Sequence, residues 1–298
     1  MRALTALVSV ALLVACGEKP PPGHVVIYAH EGTQAQRIEE MLAEFTAETG
    51  IIVTMKFGAS SELTDAVIGK QDAPRADILL TAGAADIWRA ADNGALRPLS
   101  DETLQRVPSP LRDPDGYWIA ATATSPVIVV ADEASTFVLD GLGDLGGTEF
   151  KGRLCLLSSA LPGSRALVAA LMESNDNRNV ERMVRRWVHN LALPPFESEA
   201  QLVDAVRSGA CGLGVLTGNA RHDSLARFWP STEPRSFHID GIGVARHASD
   251  ADAAHQLVAW IADKQGARVY EDIDYIHAGV AGWRDEEARL LAERAGYR

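Results

Sequence analysis

From His24 onward, short β-branched and apolar runs alternate with longer stretches in which apolar residues return every three or four positions. The runs "HVVIYAHE", "IIVTMKFGA" and "ADILLTAG" predict strands; "TQAQRIEEMLAEFTAETG", "SSELTDAVIGKQ" and "AADIWRAADNG" between and after them predict helices. Strands and helices alternating at this spacing predict βαβ units around a mostly parallel sheet. In the first helix Ile38, Met41, Leu42 and Phe45 form one apolar stripe, and Gly50 follows where a helix stop is expected. After "YWIAATATSPVIVVAD" the turn-formers "DGLGDLGG" separate this set from a second of the same kind: "GRLCLLSS", "SRALVAALMES", "VERMVRRWVHNLAL", "AQLVDAVRSGA" and "CGLGVLTG". A further strand, "SFHIDGIGVARH", and two helices close the chain. The pattern predicts two α/β lobes; the bounds expected for them are 24–121 with 238–270 and 122–237 with 271–298. Two rigid bodies joined by extended crossings are suited to hinge closure around a small molecule. Trp187, Trp260 and the helix leucines read as core, and "DEEARLLAER" as a solvated helix face.

The amino terminus breaks this pattern. Arg2 precedes an apolar run from Leu4 to Ala15, too short for the ~20 residues a membrane-spanning helix needs. Its layout is that of an export signal, expected to occupy residues 1–15 and to be removed. Residues 16–23 include three consecutive prolines, which favour an extended tether.

Composition narrows the function. With 47% hydrophobic and 23% charged residues the 298-residue chain falls in the globular class, and its formal charge of −12 argues against nucleic acid and against adhesion to anionic lipid. Besides Cys16 there are two cysteines, Cys155 and Cys211, each opening a short apolar run. In an oxidising compartment they are either bridged between neighbouring strands or two separate buried thiols. Neither has a second Cys or a His at zinc-ligand spacing.

The residues Leu13, Val14, Ala15 and Cys16 resemble the lipobox of bacterial lipoproteins, which implies acylation of Cys16 and a protein held at the periplasmic or cell-envelope side by that lipid alone. From 24 to 298 the order of "VVIYAHE", "AEFTAETGIIV", "PRADILLTAGAADIWRAADNGALRPL", "FKGRLCLLSS", "AVRSGACGLGVLTGNARH" and "ARLLAERAG" resembles the solute-binding proteins of ABC importers, most closely their ferric-ion-binding branch. The third unit is also similar to the corresponding piece of molybdate-binding proteins. The resemblance implies a type II periplasmic binding fold with the ligand cleft between lobes. It also implies a monomeric receptor without a resident cofactor, and an inner-membrane permease with its ATPase as partner.

The branch holds ferric iron, a hard cation that wants anionic oxygen donors, with adjacent tyrosines in the late loop of the second lobe and a His and a carboxylate from the first. At the matching loop this chain has "TGNARH", with Asn219 and Ala220 where the tyrosines would stand, and no carboxylate near Ala82. Tyr28, Tyr117, Tyr270, Tyr275 and Tyr297 are all elsewhere. His30 and Glu31 match the branch's first-lobe donors in kind and are the candidate metal ligands.

What remains is suited to an oxyanion, an organic acid, or iron carried as a chelate or with a companion anion. Ser60, Ser61, Thr81, Ser158, Ser159, Ser164 and Thr217 lie at strand-to-helix turns, where hydroxyls and helix N-termini favour negative groups. Asn219, Arg165 and Arg221 complete the candidate ligand-binding set, and His222 is a counterpart to His30 on the opposite lobe. No G-x-S-x-G, H-E-x-x-H or Walker-type loop occurs, and "LPGSRA" lacks the second Gly of a nucleophile turn. A receptor that releases its ligand unchanged is therefore expected in place of an enzyme. The alternatives are a hydrolase or transferase on the same lobes, and a ligand-sensing lipoprotein without transport.

Overall fold

The computed structural model describes residues 23–30, 33–69, 75–124, 126–131, 139–217, 225–228, 230, 236–269, 279–280 and 284–298, with the side chains of 33–37, 236–237, 265–269 and 279–280 outside the description. The chain opens with β1 (His24–His30), α1 (Thr33–Thr49), β2 (Ile52–Gly58), α2 (Ser60–Gly69), β3 (Ile78–Ala82), α3 (Ala84–Asp92), α4 (Asp101–Gln105) and β4 (Ile119–Thr124). It continues through β5 (Val127–Val130), β6 (Leu154–Leu156), α5 (Pro162–Ser174), α6 (Asn177–Asn190), α7 (Glu199–Arg207), β7 (Leu213–Leu216) and β8 (Ala226–Phe228). It ends with β9 (Ser236–Val244), α8 (Ala251–Val269), β10 (Gly279–Val280) and α9 (Asp285–Ala295).

These elements sort into two sheets. The first runs β10-β9-β3-β1-β2, with β4 also paired to β9; the second runs β6-β7-β5-β8. Both are mixed. β1 is parallel to β2 and β3, and β6 to β7, whereas β9 is antiparallel to β3 and β4, and β5 to β7 and β8. The antiparallel strands are those that arrive from the other lobe, a direction that helix crossovers alone do not produce.

Burial explains why these segments hold their places. Ile38, Leu42 and Phe45 of α1 are buried on one side, with Met41 half-buried beside them, as the stripe predicts. They join Val25, Ile27, Ile78 and Leu80 and the α8 residues Leu257, Val258 and Ile261 in the first lobe's core. A separate cluster around Trp187, Phe150, Leu154, Leu167 and Leu291 fills the second lobe. Trp260 is only partly buried, with its Nε1 donating to Glu48 at 2.6 Å. Cys155 on β6 and Cys211 ahead of β7 are joined, with Sγ atoms 1.98 Å and Cα atoms 5.9 Å apart. No helix among the described residues is long and apolar enough to cross a membrane.

Two strand pairings run across the expected lobe bounds. The boundary between 121 and 122 falls inside β4, which stays in the first sheet because it pairs with β9 as far as Thr124 opposite His238. β10, within the 271–298 stretch assigned to the second lobe, pairs in parallel with Ser236 and Phe237 of β9 and so extends the first sheet. Among the described residues of that stretch, α9 belongs to the second lobe, where it lies against α5 and α6.

Candidate functional site

A cleft of about 700 Å³ lies between the lobes. The first lobe contributes His30 at the end of β1, Gly58 to Ser61 at the turn into α2, Ala82 and Gly83 at the turn into α3, Arg89 one face further along α3, and His238 on β9. The second contributes Pro162 and Arg165 in the first turns of α5, with Asp285 and Glu286 opening α9. The strand-to-helix turns place helix N-termini at the cleft, beyond the carboxyl ends of β1, β2 and β3, where α/β sheets take ligands.

Two imidazoles, His30 and His238, line its floor, with the buried carboxylate of Asp240 beside them. Asp240, in the middle of β9, is 3% exposed. Its Oδ2 accepts from the Thr122 hydroxyl at 2.7 Å, and its Oδ1 lies 3.6 Å from His30 Nε2 and 3.8 Å from His238 Nε2. One carboxylate thus faces two imidazoles. Burial disfavours the Asp240 anion, but the facing imidazoles and the Thr122 hydroxyl outweigh it, and the carboxyl sits below its ordinary range. Burial holds the His238 imidazole below its own range; Asp240 and Asp285 act against that, and His30 and Arg165 reinforce it. His238 is therefore neutral at pH 7, with ring nitrogens suited to a hydrogen bond or a metal.

Gly83 lies between this floor and α3. Its φ of +98° belongs to the region L side chains avoid, and a Cβ there would stand 3.5 Å from His238 Cε1. Across the cleft, a Cβ on Gly163 would meet Thr217 Oγ1 at 2.5 Å, so the start of α5 lies directly on the residue that follows β7.

The charged groups of the walls are mutually engaged. Arg89 binds Asp65, and Asp86 at 3.0 Å, and donates to the Ser61 carbonyl at 3.1 Å. Arg165 Nε donates to Asp285 at 2.7 Å, and Glu286 is held by Arg289 at 2.6 Å. Each carboxylate that lines the cleft among the described residues thus has an arginine. Among the described residues no group of three or more His, Cys, Asp or Glu side chains is arranged to hold a metal ion.

Of the candidates read from sequence, His30, Ser60, Ser61 and Arg165 come together at the cleft. Ser60 Oγ also accepts the Ala82 N–H at 3.2 Å, tying the two first-lobe turns together. Thr81, Ser158, Ser159 and Ser164 are buried behind the wall. Thr81 donates to the Gly83 carbonyl at 2.9 Å, Ser158 Oγ accepts from Ala160 N at 3.3 Å, and Ser159 donates to the Tyr297 carbonyl at 3.0 Å. Ser164, 1% exposed, is buried next to Tyr297. Thr217 is partly buried, its N–H bound to Glu199 at 3.0 Å, and does not line the cleft. The Thr81 and Ser158 hydroxyls support turns, the common use of Ser and Thr at such positions, and Ser159 ties the wall to the end of the chain. Cys16, Glu31, Asn219, Arg221 and His222 lie outside the described residues.

His238, Asp240, Asp285 and Arg89 were not among the sequence candidates. A usable signal existed in "SFHIDGIGV": His238 and Asp240 stand two apart on a strand, hence on one face, among residues that are otherwise apolar or Gly.

Residues 25–273 match the family described as bacterial extracellular solute-binding protein. "Iron uptake protein A1" of a Synechocystis strain is 27% identical, over 94% of this chain and 85% of that protein. "Fe(3+)-binding periplasmic protein" of Serratia marcescens is 24% identical, over 89% of this chain and 81% of that protein. The structure of the apo ferric ion-binding protein A of Pasteurella haemolytica superposes with a TM-score of 0.77 at 21% identity, covering 92% of this chain and 98% of that one.

Proposed function

The chain belongs to the bacterial extracellular solute-binding protein family and has its two-lobed type II periplasmic fold, and from that premise we propose that it is the receptor of an ABC importer for chelated ferric iron. In this reading it is held outside the cytoplasm by lipid on Cys16, works as a monomer, and delivers its cargo unchanged to an inner-membrane permease and its ATPase. The named iron relatives and the order of matching segments support iron as cargo.

The observation that carries the chelate is the state of the cleft carboxylates. Bare Fe³⁺ wants several anionic oxygens, but Asp65, Asp86, Asp285 and Glu286 are each tied to an arginine. Recruiting them would give up those pairs, one of which, Arg165 with Asp285, is largely shielded from water. An iron complex that brings its own oxygen donors needs only what the cleft offers: two imidazoles on a common carboxylate, helix N-termini, and serine hydroxyls at one lip. Closure follows if the complex touches both lobes, since a ligand shifts the hinge only by its preference for the shut form.

A thermal-shift and calorimetric panel of ferric citrate, metal-free citrate, phosphate, a phosphonate, molybdate and sulfate tests this. A ligand at 100 times its Kd stabilises the folded state by about 2.7 kcal/mol. Ferric citrate is expected to give the largest rise in melting temperature. A rise with molybdate, phosphate or the phosphonate, and none with the iron complex, would establish an oxyanion receptor instead.

A further inference from the structure

Asp285 stands apart among the groups that line the cleft. It opens α9, an element that reaches the second lobe only after the chain has completed the first, and no sequence motif marks it. Its carboxylate takes the Nε–H of Arg165 at 2.7 Å, while Arg165 Nη1 donates to the carbonyls of Ser159 and Ala160. Two of the three guanidinium nitrogens are thus engaged by the second lobe itself. The pair is sheltered, with the Arg165 side chain 16% and that of Asp285 31% exposed. Both charges are felt across the cleft, where they act in opposite senses on His238. On the other wall Asp65 and Asp86 confine Arg89 in the same way.

A cleft built so meets an incoming ligand with its cations already compensated. A metal-free polycarboxylate carries several negative charges and finds beside Arg165 a fixed carboxylate that repels it. The same polycarboxylate bound one-to-one to Fe³⁺ has lost most of that charge and is repelled far less. Discrimination of this kind depends on the repulsive element as much as on the attractive one.

We propose that Asp285 is a specificity-determining residue that, by compensating Arg165, makes the cleft accept a metal-neutralised polycarboxylate and reject the same chelator when empty. This rests on the chelated-iron reading given above. A receptor that captured the empty chelator would be blocked by it, so the selectivity has a direct use.

The test compares the wild-type protein with Asp285→Asn, Asp285→Ser and Asp285→Glu by calorimetry, titrating sodium citrate without metal and, separately, ferric citrate, with melting temperatures taken in parallel. Removing one charge a few ångströms from the bound anion is expected to tighten metal-free citrate by about tenfold in the Asn and Ser proteins. The Glu protein, which keeps the charge, should behave as wild type. The preference for ferric citrate over citrate should fall by the same factor in the Asn and Ser proteins. Unchanged or weaker citrate binding in both, with melting temperatures intact, overturns the inference, as does an equal gain in the Glu protein. Failure of the wild type to bind ferric citrate would instead overturn the cargo reading, while the citrate comparison among variants still decides the role of Asp285.

Discussion

At the scale of single residues, Asp240 is the pivot of the cleft because one buried carboxylate serves Thr122, His30 and His238 at once. Its depressed pKa stabilises the fold above the ordinary carboxylate range and is lost only as pH falls through the lower native value. His238 acts earlier. Its native pKa lies below the 6.5 of the unfolded chain, so between those values the unfolded state binds more protons and stability drops as pH drops. His238→Gln removes this contribution. Its melting temperature should fall less than that of the wild type between about pH 7 and pH 5, and parallel curves would show that His238 is not the source. Sequence disclosed His30, which ends a strand beside an acidic residue, because position alone marks a strand's carboxyl end. It did not disclose Asp240, whose role depends on which strands flank β9, and that register is a property of the folded sheet.

At the scale of elements, α9 is a strap across the second-lobe wall. Its first residue holds Arg165, and past its last turn Tyr297 donates its hydroxyl to the Leu157 carbonyl at 2.6 Å while accepting from Ser159 at its own carbonyl. Tyr297 is 1% exposed, and burial pushes its phenol above the usual range. Tyr297→Phe keeps the ring and leaves the Leu157 carbonyl unpaired, a loss of about 1–2 kcal/mol in urea denaturation. No change in stability would show that this bond does not matter. The helix itself was legible from the spacing of Ala288, Leu291, Ala292 and Ala295, all buried on one side. Its attachment was not, since Tyr297 and Leu157 are 140 positions apart and nothing local links them. The end of β4 was hidden for a similar reason: "IAATAT" carries no turn-forming residue near position 121, and only pairing with β9 decides where the strand leaves the sheet.

At the scale of the whole molecule, two lobes with separate cores are stitched by crossings after β4, after β8 and before α9. The lobes were legible because alternation of strands and helices is a local signal repeated twice. The disulfide was one of two readings, and the parallel pairing of β6 with β7 brings its halves within reach. Its cysteines are 56 positions apart, a loop whose closure is worth about 4 kcal/mol in the chain-entropy account. Replacing both with Ser should lower unfolding stability by about 2–4 kcal/mol relative to the oxidised protein. An unchanged denaturation midpoint would show that the bridge contributes nothing to the second lobe.

The placement of β9 has a consequence for how such a chain comes into being. β3 and β4 each lean on residues 236–244, so the lobe that begins at the amino end is completed by a strand made near the other end. Contacts spanning so much of the chain form slowly. A polypeptide emerging head first cannot complete its leading sheet before residue 244 has been made.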